Sequence, residues 1–175
     1  MKKLLNILIF MFMIAILFVS LKVINYLPSI IDSETLQRHR SIEEMKSAIN
    51  VSHLYIPSYF PQGIEWPPSD ILGQGKPFKA IVLKFRHGGS GDIAMVIYQV
   101  EMNRHITEER EVRITKVRER IQYNLKGREA DLQVGACEDE EICSRISWTE
   151  DGFRVIISMK STPFELLKIA ESVIQ

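Results

Sequence analysis

The stretch "ICSRISWTEDGFRVIISMKSTPFELLKIAESVIQ", residues 142–175, decides the fold. "ICSRISW" alternates, with Ile146 and Trp148 on one face and Cys143, Arg145 and Ser147 on the other. After the turn residues "TEDG", "FRVIISMK" returns with Phe153, Val155, Ile157 and Met159 on one face. The period then changes. Thr162 is placed to cap a helix, Pro163 to occupy its first position and Glu165 to close a capping box. Leu166, Leu167, Ala170, Val173 and Ile174 form an apolar stripe that must bury against a sheet. A half-apolar hairpin followed by a half-apolar helix is the working unit of an α+β domain.

Upstream, "IQYNLKGREADLQVG" (121–135) reads as another hairpin, turning at Gly127. "FKAIVLKFRH" (78–87) and "DIAMVIYQVEM" (92–102) read as two strands joined by "GGSG". The glycines do not make a phosphate cradle, because no Lys-Ser/Thr and no helix follow. Ile81, Leu83 and Phe85 oppose Ala80 and Val82, and Ile93, Met95 and Ile97 oppose Ala94, Val96, Tyr98 and Val100. Strands apolar on both faces belong in the middle of a sheet that is covered on both sides. "ITEEREVRITKVRERI" (106–121) fits two periods: Ile114, Val117 and Ile121 have helical spacing, while Val112 and Ile114 alternate. The reading taken is a short helix after Thr107.

"SIEEMKSAI" (41–49) starts a helix with Ser41 as N-cap and Glu44 completing the box, and Ile42, Met45 and Ile49 share a face. Between this helix and the strands, "YIPSYFPQGIEWPP" (55–68) is barred from helix by Pro57, Pro61, Pro67 and Pro68 and concentrates Tyr55, Tyr59, Phe60 and Trp66. It reads as a loop packed over an open sheet edge, or as an interaction surface built on Tyr59, Phe60 and Trp66.

The chain opens with Lys2 and Lys3 and then runs from Leu4 to Leu21 with only Asn6 and Ser20 as polar interruptions. As a helix, Leu4–Ile24 is about 30 Å long, the thickness of a bilayer's hydrocarbon core. A cleaved signal peptide would have a shorter apolar region and a small-x-small site, and Phe18 with Ser20 serves poorly. The expectation is therefore an uncleaved anchor over residues 1–24, a juxtamembrane tether over 25–40 and one extracytoplasmic domain over 41–175. The leading lysines favour a cytoplasmic N-terminus. That makes a single-pass protein of the cytoplasmic (inner) membrane, its domain periplasmic or extracellular.

The compartment bears on "GACEDEEICSRISW" (135–148), where Cys137 and Cys143, the only cysteines, flank four acids and an isoleucine. Thiols in an oxidising compartment pair, so a disulfide between Cys137 and Cys143 is expected, near the solvent side of its strand. A zinc site would need four ligands, and His39, His53, His87 and His105 are scattered. The spacing is not C-x-x-C. The intervening acids read as a solvated loop tip, because a calcium site would want an alternating oxygen-ligand pattern around a glycine turn.

Three of the 22 basic residues lie in the first 22 positions, which leaves 19 basic against 22 acidic side chains beyond them. That balance argues against a nucleic-acid partner. No G-x-S-x-G or H-E-x-x-H occurs, and no histidine sits in a nucleophile-base context. No catalytic residue, cofactor or metal site is expected.

In order along the chain, "SIEEMKSA" (41–48), "IPSYFPQGI" (56–64), "LKGREADL" (125–132), "ISWTEDGFRVIISM" (146–159) and "ELLKIAESV" (165–173) resemble a family of bacterial extracytoplasmic domains of unknown function. Such domains are often attached to single-pass anti-sigma-factor-like proteins and to lipoproteins. The resemblance implies a curved antiparallel sheet with helices, distantly similar to periplasmic stress-sensor and lipoprotein-carrier domains, and it brings no catalytic residues. The whole reading is α+β: a curved antiparallel sheet of about five to six strands, with a capped N-terminal helix and a C-terminal helix packed on it, behind one transmembrane helix. The expected function is a membrane-anchored sensory or protein-interaction domain without catalysis. The alternative is a lipid or apolar-ligand binding module. An envelope protein or lipid is the expected partner, beside the membrane itself.

Overall fold

In chain order the elements are α1 (Lys2–Tyr26), β1 (Ile30–Asp32), β2 (Gln37–His39), α2 (Ile42–Ile49), β3 (Asp70–Gln74), β4 (Ala80–Arg86), β5 (Ile93–Glu101), β6 (His105–Thr107), a 3-10 turn (Arg110–Val112), β7 (Lys116–Leu125), β8 (Arg128–Ala136), β9 (Ile142–Glu150), β10 (Phe153–Met159) and α3 (Pro163–Val173). The structure is a computed structural model that describes the backbone of residues 2–26, 30–32 and 36–174. It is α+β, with a sheet of eight antiparallel strands in the order β2-β3-β4-β5-β10-β9-β8-β7. Two meanders, β2 to β5 and β7 to β10, meet where β5 pairs with β10. The connection between them, residues 102–115, crosses from the middle of the sheet to its far edge, and on the way β6 pairs in parallel with β1.

The sheet is larger than expected because of its short edge members. β2 carries the sequence Gln-Arg-His and β3 carries Asp-Ile-Leu-Gly-Gln. Neither shows enough alternation to register as a strand alone. β2 lies in the stretch expected as a tether, and Leu36 beside it is already part of the core. The expected helix after Thr107 is also corrected. After β6 ends at Thr107 there is only a single 3-10 turn at Arg110–Val112, and from Lys116 the chain is the edge strand β7. β7 is almost wholly exposed, and a bulge between Val117 and Glu119 breaks its alternation, so a helical spacing arose by coincidence.

One face buries Met45 and Ile49 of α2, and Leu166, Ile169, Ala170 and Val173 of α3, against Ile81, Leu83, Ile97, Ile146 and Ile157 of the strands. The other face packs Leu36, Leu72, Phe78, Val82, Tyr98, Val100 and Val112 together. β4 and β5 are thus covered on both sides, as their two-sided apolar sequence requires. Ile93 departs from expectation. A register shift beside Phe85 and Arg86 moves it away from Met95 and Ile97 into the second cluster.

The hairpin at residues 149–152 turns through Asp151 and Gly152, both at positive φ (49° and 78°), the pairing that matches the twist of adjoining strands. Ser41 caps α2, its Oγ accepting from the Glu44 N–H at 3.1 Å, and Glu44 Oε2 accepts from the Arg40 N–H at 3.0 Å. The C-terminal helix differs. Thr162 stands at the cap position without a side-chain cap bond, and Glu165 accepts from Lys168 at 2.9 Å and from the Tyr59 hydroxyl at 3.2 Å instead of closing a box.

Helix α1 covers 25 residues, and among its described side chains Phe10, Phe12 and Phe18 are about two-thirds exposed (65–66%). Side chains are described together only over residues 9–22. Among the described residues no helix is long and apolar enough to cross a membrane, so the expected span is not found there.

Gly135 on β8 is a point of close approach. A Cβ there would lie 2.2 Å from the Lys116 carbonyl oxygen and 2.6 Å from Ile114 Cγ2. Backbone cannot swing aside as a side-chain tip can. Replacing Gly135 with alanine is expected to cost about 2 kcal/mol by overpacking, read as a lower urea midpoint at unchanged slope. An unaltered midpoint would show that β7 yields freely at this position.

Candidate interaction surface

The proline-rich segment is fixed to the sheet by a side chain that sequence reasoning passed over. Gln99 on β5 is 1% exposed and stands between Ile81 and Val155 on a face otherwise apolar. Its Oε1 accepts from the Tyr55 N–H at 3.3 Å, and its Nε2 donates to the His53 carbonyl at 3.0 Å. A lone amide at a core position of a strand was the available signal. Tyr55 is itself buried, and its hydroxyl donates to Asp151 Oδ2 at 3.0 Å. Burial, reinforced by that bond, pushes the phenol far above its ordinary range.

From this anchor the segment crosses the face of the sheet, then runs along the end of β4. There the Glu65 N–H donates to the Arg86 carbonyl at 3.0 Å, the Ser69 N–H to the Lys84 carbonyl at 2.8 Å, and Ile64 bridges His87. The expected edge cover is therefore only its second half. The face crossing is the addition, and it happens because Tyr55 and Phe60 have apolar surface to bury there.

The three expected surface residues are split between two grooves. Tyr59 turns toward α3, its N–H donating to Ser172 Oγ at 3.2 Å and its hydroxyl to Glu165. It lines a groove of about 430 Å³ with Pro61, His87 and Lys160. Phe60 and Trp66 turn toward α2. Their ring centroids are 5.2 Å apart, and both rings pack on Phe85, at 5.4 and 6.2 Å. With Ile42 and Lys46 of α2, and with Ile56 and Pro57, they line a second groove of about 520 Å³. Trp66 is 52% exposed, so about half of a large amphipathic ring faces solvent with its inner edge held.

The opposite face is closed in its middle by the crossover. The Glu109 N–H donates to the Tyr98 hydroxyl at 2.6 Å, Glu109 pairs with Lys84, and Glu108 pairs with Arg145 at 2.9 Å. Leu36, Phe78 and Val112 fill the apolar part beneath. Among the described residues no group of three or more His, Cys, Asp or Glu side chains is placed to hold a metal ion.

Cys137 and Cys143 are at bonding distance, with Cα atoms 5.6 Å apart. They stand across the β8–β9 turn, where the Cys137 N–H also donates to the Glu141 carbonyl at 3.0 Å. Their expected place near solvent is corrected. They are 2% and 0% exposed, at the end of β8 where the Thr115 N–H is bonded to the Ala136 carbonyl at 2.9 Å. The acids between them are partly engaged, Glu138 by Arg110, and Asp139 and Glu141 by Lys160.

Replacing Gln99 with leucine leaves the Tyr55 N–H and the His53 carbonyl without their partner, an expected loss of about 2–3 kcal/mol with selective proteolysis of residues 51–69. A stable, protease-resistant variant would show that the loop is held by packing alone. Replacing both cysteines with alanine is expected to lower stability by about 2 kcal/mol while the circular dichroism stays that of the parent. Loss of the β signal would mean that the sheet depends on the crosslink.

Comparison of the chain with protein-family models, with curated proteins and with solved structures yields no match, so the resemblance over residues 41–174 rests on the residues quoted for it.

Proposed function

We propose that this chain is a non-catalytic interaction domain of a bacterial envelope, held at the cytoplasmic membrane by its N-terminal helix and engaging a protein partner through the groove between α2 and the ring pair Phe60–Trp66. The observation that carries the reading is this pair. A half-exposed Trp66 is braced on Phe60 and Phe85, beside Ile42 and Lys46, on the face where Leu83, Ile97 and Ile157 are buried with α2 and α3. Aromatic anchors with rigid backing and a charged rim are the usual centre of a protein interface. The groove suits an apolar side chain flanked by charge, since Glu43 and Lys46 stand at its rim.

The location has separate support. Over residues 9–22 the N-terminal helix exposes large apolar side chains such as Phe10, Phe12 and Phe18, which a bilayer would cover. The bonded cysteines suit an oxidising compartment. In this reading residues 1–24 form the anchor with a cytoplasmic N-terminus, and the sheet domain lies outside the cytoplasm. The alternative, a lipid or apolar-ligand carrier, wants an apolar face left empty. The apolar part of the second face is instead filled by Leu36, Phe78, Val112 and Ile156, which favours a protein partner.

Trp66→Ala is expected to cost about 1 kcal/mol of stability, because half of the ring is already in water. A photo-crosslinking phenylalanine analogue at position 66 of the full chain in native membranes is expected to give a discrete protein adduct that disappears on Phe60→Ala. Protease added to spheroplasts is expected to digest the domain. Adducts to lipid alone, or stoichiometric lipid in native mass spectrometry, would replace this reading with the carrier.

A further inference from the structure

The second face of β7 to β10 is built differently from the rest. Register places three rows across these strands: Arg120, Gln133, Arg145 and Ser158; then Gln122, Asp131, Ser147 and Ile156; then Asn124, Glu129, Thr149 and Arg154. The crossover that covers β4 and β5 reaches this side where Glu108 pairs with Arg145, and beside that pair a groove of about 580 Å³ remains. Its wall carries guanidinium, amide and hydroxyl groups from four neighbouring strands, a rigid base that fixes their spacing.

The donors outnumber what the groove's own acids can accept. Asp131 is already satisfied, Oδ1 by Arg120 Nε and Oδ2 by Gln133 Nε2, both at 2.8 Å. Burial alone would raise its pKa, yet these bonds and the nearby charges of Arg120 and Arg145 hold the carboxyl below its usual range, the mark of a positive local field. Arg145 spends one nitrogen on Glu108, and its buried Nε has no partner among the described residues. Arg128 at the rim is paired with Glu150. Arg154 makes no ion pair among the described residues although it lines the groove.

Spacing and chemistry narrow the ligand. Arg120 and Arg145 share a row two strands apart, roughly 10 Å, and Arg154 lies one strand further and four residues along, roughly 13 Å up the strand. A single small anion cannot reach all three, so the ligand is extended and carries several negative groups. Gln122, Ser147 and Thr149 between the arginines suit hydroxyl groups. Glu129, a lining acid with no ion pair among the described residues, offers an acceptor to a hydroxyl and would repel a plain polyanion. A peptide is disfavoured. The backbone groups of β8 to β10 are used in the ladders, and Trp148, the aromatic that lines the groove, is 2% exposed and offers no seat for apolar side chains.

We propose that this groove binds an acidic glycan, an extended saccharide chain bearing carboxylates or phosphates, with Arg120, Arg145 and Arg154 holding the acidic groups. The site is separate from the Trp66 groove and stands or falls without it.

The test uses the full chain in nanodiscs of phosphatidylcholine, which add no net charge. Four fluorescent probes are titrated: a tetragalacturonate, a glycerol-phosphate oligomer, neutral maltotetraose and tetraglutamate. At least one of the two acidic saccharide-type probes is expected to bind saturably, with affinity falling as salt rises, and which one binds tells carboxylate from phosphate. Arg154→Glu and Arg120→Gln are each expected to weaken it at least about tenfold, the loss of a charge-assisted contact. Trp66→Ala is expected to leave it unchanged. Arg154 has no ion partner to abandon, so its variant is expected to fold, which an unchanged melting curve checks. Saturable binding of neither acidic probe overturns the proposal, as does equal binding by both arginine variants. Tetraglutamate binding as tightly as the saccharides would mean a site for charge rather than for sugar.

Discussion

The structure depends on one line of aliphatic contacts. Ile71, Leu83, Ile97, Ile157, Ile146, Leu132 and Ile121 stand directly opposite one another from β3 to β7, one residue per strand. All but Ile121 are buried. Each fully buried side chain of this kind contributes about 1.5–3 kcal/mol, and a slip of one residue in any strand would send that side chain to the other face. The row therefore sets the register of both meanders at once. It also joins them, since Ile97 and Ile157 are its members on β5 and β10.

The positions of everything else follow from it. With Ile97 facing α2 and α3, Gln99 two residues on faces the same way, where it can take hold of the proline-rich segment. Phe85, two residues beyond Leu83, becomes the floor under Phe60 and Trp66. The alternate residues must point to the second face. On β4 and β5 these are Val82, Tyr98 and Val100, which need cover and receive it from residues 102–115. On β7, β8 and β9 they are arginine, glutamine, aspartate, serine and threonine, which need none. One sheet thus has a sealed half and an open polar half because the composition of the alternate positions changes between β5 and β9.

The sequence by itself determined the local units. The hairpins at Gly127 and Asp151–Gly152, the capped helix α2, the C-terminal amphipathic helix and the two-sided strands β4 and β5 are written in periodicity and turn chemistry, which act over a few residues. The pairing of Cys137 with Cys143 was legible because no other cysteine competes. What only the tertiary structure decided is whatever depends on partners distant in sequence. β2 and β3 are too short to show a period and exist because β4 offers an edge to pair with. β7 is a strand despite a helical spacing because β8 templates it. The cysteines are buried although the residues between them are mostly acidic, and Tyr59 parts from Phe60 and Trp66 because Ser172 and Glu165 lie on one side and Phe85 on the other. The physical reason is the same throughout. Local sequence sets which conformations are cheap, whereas long-range contacts choose among them, and their free energy appears only once distant residues have met.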